Sequence, residues 1–295
     1  MKTLLIIGLA ILLITISVFA EAQSGAGFLK YPSSARHWAL GGAGVASGHD
    51  ASAMVLNPAT LNEINFQHFG ISGTGLGVMD ASIIDVFGGY HLPTAGTIGL
   101  NVHMFTVKPF DVIMLDGTTE SYGQNDMSIS IGYAHHIMKG LEIGIAPKMI
   151  SRKVADVSGS GFGADLGATY TTGQARAGLA VQNVGSSVTL GESTDKLPMI
   201  IAVGGNYEGV LGPLSKVNAM IDVGTESANG AFIKPGFEYV YNEMFMARIG
   251  YNTLNKSLTF GAGFDLKYVG FDIGAMSHRD LGQLYQFTVY STLGK

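Results

Sequence analysis

DMSISIGY, residues 126–133, carries the pattern that decides the fold. Met127, Ile129, Ile131 and Tyr133 point one way, and Asp126, Ser128, Ser130 and Gly132 point the other. A period of two marks a strand with one apolar face and one small or polar face. The pattern recurs outward from there. Leu141, Ile143, Ile145 and Met149 alternate with Glu142, Gly144, Ala146 and Lys148. Phe245, Ala247, Ile249 and Tyr251 alternate with Met246, Arg248 and Gly250, and Leu258, Phe260, Ala262, Phe264 and Leu266 with Thr259, Gly261, Gly263 and Asp265. About fourteen such segments lie between residues 66 and 292, each roughly 8–10 residues, the length a tilted strand needs to cross the hydrocarbon layer.

Composition agrees. Charged residues make up 13% of the 295-residue chain, about half the usual share, and its 42 glycines are about double the average. Mean hydropathy is +0.30, yet beyond residue 22 no apolar run approaches a transmembrane helix. Alternating strands with one face toward lipid produce that combination. The connections alternate too. Short ones fall at Pro93 to Gly96, Thr171 to Gln174, Asn242-Glu243 and Lys267, and longer polar ones at 106–123, 151–160, 183–197, 224–231 and 277–283. Short turns at one end, long loops at the other and an even strand count predict an all-β, transmembrane antiparallel barrel of about 14 strands. The expected home is the bacterial outer membrane, with both termini periplasmic. Closure removes the sheet edges that lipid could not satisfy.

The inward face is expected to carry Asp126, Glu142, Lys148, Asp165, Arg176 and Asp222 from the first half. Lys234, Glu238, Arg248, Asp265 and Asp272 follow from the second. Both signs occur, so these groups should pair across a hydrated lumen. Tyr90, Tyr133, Tyr170, Tyr207, Tyr239 and Tyr241 fall at strand ends, as in an interfacial aromatic girdle.

Two N-terminal stretches break the pattern. Lys2, the apolar run Leu4 to Phe19 and the Ala20-Glu21-Ala22 cleavage signature read as a signal peptide over residues 1–22. The chain has no cysteine, which excludes acyl anchoring and disulfides. Residues 23–65 contain GFLKYPSSARHWALGGAGVASGHDASAMVLNPATL, residues 27–61. Ser33 or Ser34 as a cap and Pro32 before it predict a helical turn to Leu40, which Gly41, Gly42 and Gly44 break. Asp50 caps a second turn through Met54, and Asn57-Pro58 stops it. This segment has too little apolar area to fold alone. It must pack as a plug in the barrel formed by residues 66–295.

Chemistry is largely excluded. A net charge of −5 without a basic cluster leaves no footprint for nucleic acid. There is no G-x-S-x-G, and Ser277-His278-Arg279-Asp280 merely sets triad letters side by side. His135-His136, expected in a turn, lack the further ligands of a zinc site, and the glycines at 41, 42 and 44 follow no strand. A non-enzymatic protein without cofactor or metal is expected.

Several motifs carry a family resemblance. Phe28-Leu29-Lys30, Ser34-Ala35-Arg36, Ala39-Leu40-Gly41-Gly42-Ala43, Asp50-Ala51-Ser52-Ala53 and Asn57-Pro58-Ala59-Thr60-Leu61 together resemble the signature of the PorV/PorQ family of outer-membrane proteins. Gly163 to Gly167, Gly178 to Gly185, Gly236 to Tyr239 and Arg248 to Asn252 are similar to its later landmarks, and FLKYPSSARHWALGG is closer to PorQ. The family is related to the FadL-like long-chain fatty-acid transporters. The resemblance implies a fourteen-strand barrel with an internal plug. It also implies a part in type IX secretion and surface attachment, with secreted cargo or translocon and attachment proteins as partners, in outer-membrane lipid. Phe110, Val112, Ile113, Met114 and Leu115, an apolar run in an otherwise polar loop, are the candidate partner-binding residues. The same run could instead fold over the barrel mouth.

The FadL relationship implies an alternative, a channel for hydrophobic small molecules such as fatty acids. Phe28, Trp38, Leu40, Met54 and Leu56 would line its pocket and Asn57-Pro58 would hinge the plug, although these residues could equally glue the plug in place. A purely structural barrel or adhesin is the third reading.

Overall fold

The computed structural model describes residues 25–64, 66–76, 80–278 and 282–294, so the signal-peptide reading of residues 1–22 lies outside the described residues. The strands are β1 Gln67–Gly75, β2 Ser82–Leu92, β3 Gly96–Ile113, β4 Thr119–Met138 and β5 Leu141–Val154. They continue with β6 Val157–Thr172, β7 Ala175–Gly185, β8 Val188–Leu190, β9 Ser193–Asp195, β10 Ile200–Gly212 and β11 Ser215–Glu226. The last five are β12 Gly230–Tyr241, β13 Phe245–Asn252, β14 Ser257–Asp265, β15 Val269–His278 and β16 Gly282–Leu293. All except β8 and β9 form one closed antiparallel barrel in chain order, sealed where Gln67 pairs with Leu293 and Gly75 with Tyr285. That makes fourteen strands, as the alternation predicts. Outward residues such as Ile131 and Phe162 are 62% and 65% exposed, an apolar band that only lipid can cover. Tyr90, Tyr133, Tyr170, Tyr207 and Tyr241 are exposed beside the short turns and ring that end; Tyr239 is half-buried.

Several expectations are corrected. The stretches 106–123 and 151–160 are mostly strand. β3 and β4 run to 18 and 20 residues and close on a turn at 114–118, while β5 and β6 meet at Ala155-Asp156. Above the membrane both faces of a hairpin meet water, so the alternation that marks a strand fades from the sequence while its backbone ladder continues. The 224–231 stretch likewise shrinks to residues 227–229, and 183–197 folds as the small β8–β9 hairpin. His135 and His136 lie in β4, where His136 Nδ1 sits 2.9 Å from Glu142 Oε1.

The plug, residues 25–64, threads the lumen. Its single helix, α1 Ala35–Ala39, packs on β13 to β16, and 3-10 turns at Ala51–Val55 and Pro58–Glu63 pack on β1 to β6. Ser34 is the N-cap residue of α1, yet its hydroxyl turns to His37 Nδ1 at 3.0 Å and caps no backbone group. Asp50 and Asn57 do cap, accepting from Ser52 N at 2.8 Å and Ala59 N at 3.0 Å. Gly25 sits against Asp195 and Arg152 at the loop end. The described plug thus begins at the loop end and runs through the lumen before β1 begins on the turn side.

Candidate functional site: the plug and the two ends of the lumen

The wall makes room for the plug with small residues at mid-strand. A Cβ on Gly250 would lie 2.2 Å from Leu40 C, and one on Gly167 would lie 1.8 Å from Asn57 Oδ1, so only glycine allows the plug backbone to seat there. The alternation marks Gly250 as part of the small face of a strand, without its partner, and Gly167 enters the sequence reading only within a family landmark. Asn57 is fully buried and clasped, its Nδ2 donating to Val45 O at 2.6 Å while Gln182 Nε2 donates to Leu56 O at 2.7 Å. A swing about Asn57-Pro58 must break both bonds. The Asp222 carboxylate accepts from the N–H groups of Gly44 and Val45 at 2.8 and 3.1 Å, pinning the glycine-rich bend to β11.

Charge fixes the centre. Arg36 donates from Nε to Glu238 Oε2 at 3.0 Å and from Nη2 to Oε1 at 3.1 Å, a forked clasp between plug and wall. Arg248 donates to the same carboxylate at 2.6 Å and also pairs with Asp272. Arg36 Nη1 turns back to Gly48 O at 2.8 Å. Burial lowers the His37 imidazole to about 4, so it is neutral at pH 7 among Ser34, Ser52, Arg36 and Asp50. Other inward ions pair as the alternation implies: Lys148 with Asp165 at 2.7 Å, and Arg176 with Glu63 of the plug.

The candidate plug residues are buried but do not meet in one place. Phe28 stacks on His103 and packs with Ile150, Val188 and Leu197. Trp38 stacks on Tyr31 and packs with Ile83, Met276 and Leu284. Both clusters lie at the loop end and share Phe105, forming a dry apolar collar. Leu40 packs with Ala43 and Met220, and Met54 with Leu61, Ile64 and Phe87. Leu56 and Pro58 are buried against the wall beside Asn57. At the loop-end tip, Ile113 is 78% exposed, with Phe110, Met114 and Leu115 also exposed and Val112 half-buried. The run therefore stands clear of the barrel mouth. β2 ends opposite Thr106 and β5 opposite Gln124, so the hairpin rises beyond its neighbours.

The opposite end combines the apolar cluster of Met54, Leu61 and Ile64 with charged groups. A cavity of about 290 Å³ lies beneath the plug, roofed by Ser34, Arg36 and Asp50 and walled by β1, β2 and β10 to β16. Sequence reading missed this chamber because its lining is gathered from nine strands and three plug segments. Among the described residues, no three His, Asp or Glu side chains group closely enough to hold a metal ion.

No protein-family model and no curated protein matches this chain. Solved structures do. The toluene transporter TbuX of Ralstonia pickettii superposes with a TM-score of 0.66 at 14% identity, covering 90% of this chain and 99% of that one. The Pseudomonas putida toluene transporter TodX gives 0.62 at 11% identity, over 88% of this chain and 96% of that one. A Pseudomonas aeruginosa FadL homologue gives 0.54 at 8% identity, over 88% and 98%. The fold is that of FadL-like outer-membrane barrels.

Proposed function

We propose that the chain is a non-enzymatic outer-membrane channel for small, uncharged hydrophobic molecules, gated by its plug. The observation that carries this reading is the apolar collar around Phe28 and Trp38 at the loop end of the lumen. An apolar molecule leaving water would partition there first. The likeness to two toluene transporters supports the reading without identifying the substrate. Residues 1–22 would act as a cleaved export signal, and residues 23–65 would move as the gate. Passage requires the clasps at Glu238, Asp222 and Asn57 to loosen. Expression in an outer membrane lacking such channels should raise uptake of labelled toluene; uptake no faster than with an empty barrel of similar size would end this reading.

A second reading follows from the hairpin tip. Type IX-like secretion or attachment would use Phe110, Val112, Ile113, Met114 and Leu115 to hold a secreted protein, and their exposure favours a contact surface. Replacing residues 110–115 by a short polar turn should abolish co-purification of a protein partner while the barrel keeps its heat resistance. Unchanged co-purification would remove the tip from this role.

A further inference from the structure

We propose that Lys234 is a release spring for the plug: docking leaves its ammonium without a counter-ion, and undocking returns to it two carboxylates that the plug has taken. Lys234 faces the lumen from β12, in direct register with Asp222 of β11. The carboxylates within its electrostatic reach are Asp222 and Glu226, both buried on the inward face of β11. The plug holds each of them. Asp222 Oδ2 accepts from the N–H groups of Gly44 and Val45, and Glu226 Oε1 lies 3.0 Å from Lys30 Nζ. Among the described residues, Lys30, Arg36, Lys148, Arg152, Arg176 and Arg248 all hold a carboxylate at ion-pair distance, and Lys234 does not.

What the ammonium has instead is an aromatic face. Its Nζ lies 4.4 Å from the centre of the Phe232 ring. Phe232 pairs with Gly224, the inward position between Asp222 and Glu226, so the ammonium is drawn along the strand to a point between the two carboxylates. It also faces the bend of the plug, where a Cβ on Gly42 would lie 3.6 Å from Nζ. Half-buried between wall and plug, the charge has exchanged part of its water for a ring, which compensates less than a carboxylate would. When the plug leaves, Lys30 and the Gly44 and Val45 amides leave with it, and water returns to the lumen. Asp222 and Glu226 are then free to pair with Lys234. The charge at Lys234 therefore costs free energy in the docked state that it does not cost in the released one, which shifts the equilibrium toward release. Glu238 behaves otherwise, because Arg248 and the Asn218 amide hold it from the wall whether or not Arg36 is present.

The spring rests on the reading that the plug undocks and names no substrate. Denaturant titration of the full-length protein in detergent, followed by the fluorescence of Trp38, reads docking directly. Lys234→Met keeps the aliphatic stem and drops the charge, and it should tighten docking by about fivefold, whereas Lys234→Arg should stay within about twofold of the unaltered protein. Docking that is unchanged or weakened in Lys234→Met overturns the proposal. The chain has no cysteine, so Lys234→Cys offers a single thiol to label while the protein is unfolded. After refolding, an aminoethyl disulfide restores the ammonium and should return docking toward the native value, while an uncharged propyl disulfide should leave it tight. Equal docking with the two labels overturns the spring, whether or not Lys234→Met folds. Toluene uptake measured in parallel keeps the two readings apart: tighter docking with undiminished uptake would remove the plug as the gate and leave the spring standing.

Discussion

The two ends of the lumen hold the same plug with different balances of apolar burial and charge. At the loop end Phe28 and Trp38 are sealed among Ile150, Leu284 and Met276, so attachment there comes largely from burying apolar area, with the Lys30–Glu226 pair at 3.0 Å beside it. In the centre and at the turn end, Arg36, Glu63 and Asp50 are held by carboxylate and guanidinium partners around a polar chamber. A dry seal is non-directional and tolerates sliding, whereas a forked ion pair sets position and loses most of its worth when water enters. The plug is thus positioned by its central ion pairs and sealed by apolar clusters on both sides of them.

That contrast can be broken experimentally, most severely by a covalent lock. A Cβ on Gly89 would lie 3.1 Å from that of Ala51, near the separation a disulfide needs, and the chain has no other cysteine. Ala51→Cys with Gly89→Cys should abolish toluene uptake when oxidised and restore it on reduction; uptake indifferent to reductant would show that the plug does not gate. Arg36→Met should come next, destabilising plug docking by about 3–5 kcal/mol, because Glu238 loses its forked plug partner and keeps Arg248 and the Asn218 amide on the wall. The chain's single tryptophan, Trp38, lies in the plug and reports its release by fluorescence in a denaturant titration.

Leu61→Ala tests the apolar packing that the plug also has at the turn end. Leu61 is fully buried against Met54 and Ile64, and its loss should cost about 2–5 kcal/mol by the same readout, without the salt dependence that marks charged anchoring. Acid should act more gently. His37 is held near 4 in the folded plug, below its ordinary value, so released plug takes up a proton that docked plug refuses. The contribution of His37 should be full above about pH 6.5 and be lost as pH falls toward about 4. His49 acts alike, and Glu63, raised to about 7 in the docked plug, acts oppositely. His37→Gln should remove the His37 share of that pH dependence. The smallest effect belongs to the tip, where Ile113→Ser with Leu115→Ser should change barrel stability by less than about 0.5 kcal/mol per site, since neither residue is buried.

Much of this was legible in the sequence. The strands were readable because lipid on one side and lumen on the other force a period of two, and Asp50 announced its cap by residue type and position, whereas Asn57 reads as a stop and in the fold caps a further turn. Phe28, Trp38, Leu40 and Met54 were recognisable as residues needing burial, but not as members of four separate clusters. Clustering depends on which strands the plug crosses, and no local pattern encodes that.

The alternation alone therefore determined a closed barrel of about fourteen strands with charged residues inside, because backbone hydrogen bonds in lipid permit no other arrangement of such strands. Tertiary structure decided what the chain could not state locally. The plug enters at the loop end, Arg36 meets Glu238 across 202 positions, and Gly250 is small because Leu40 lies on it. Those contacts join residues distant in sequence through a closed wall, and closure is what brings an acidic chamber together from nine strands.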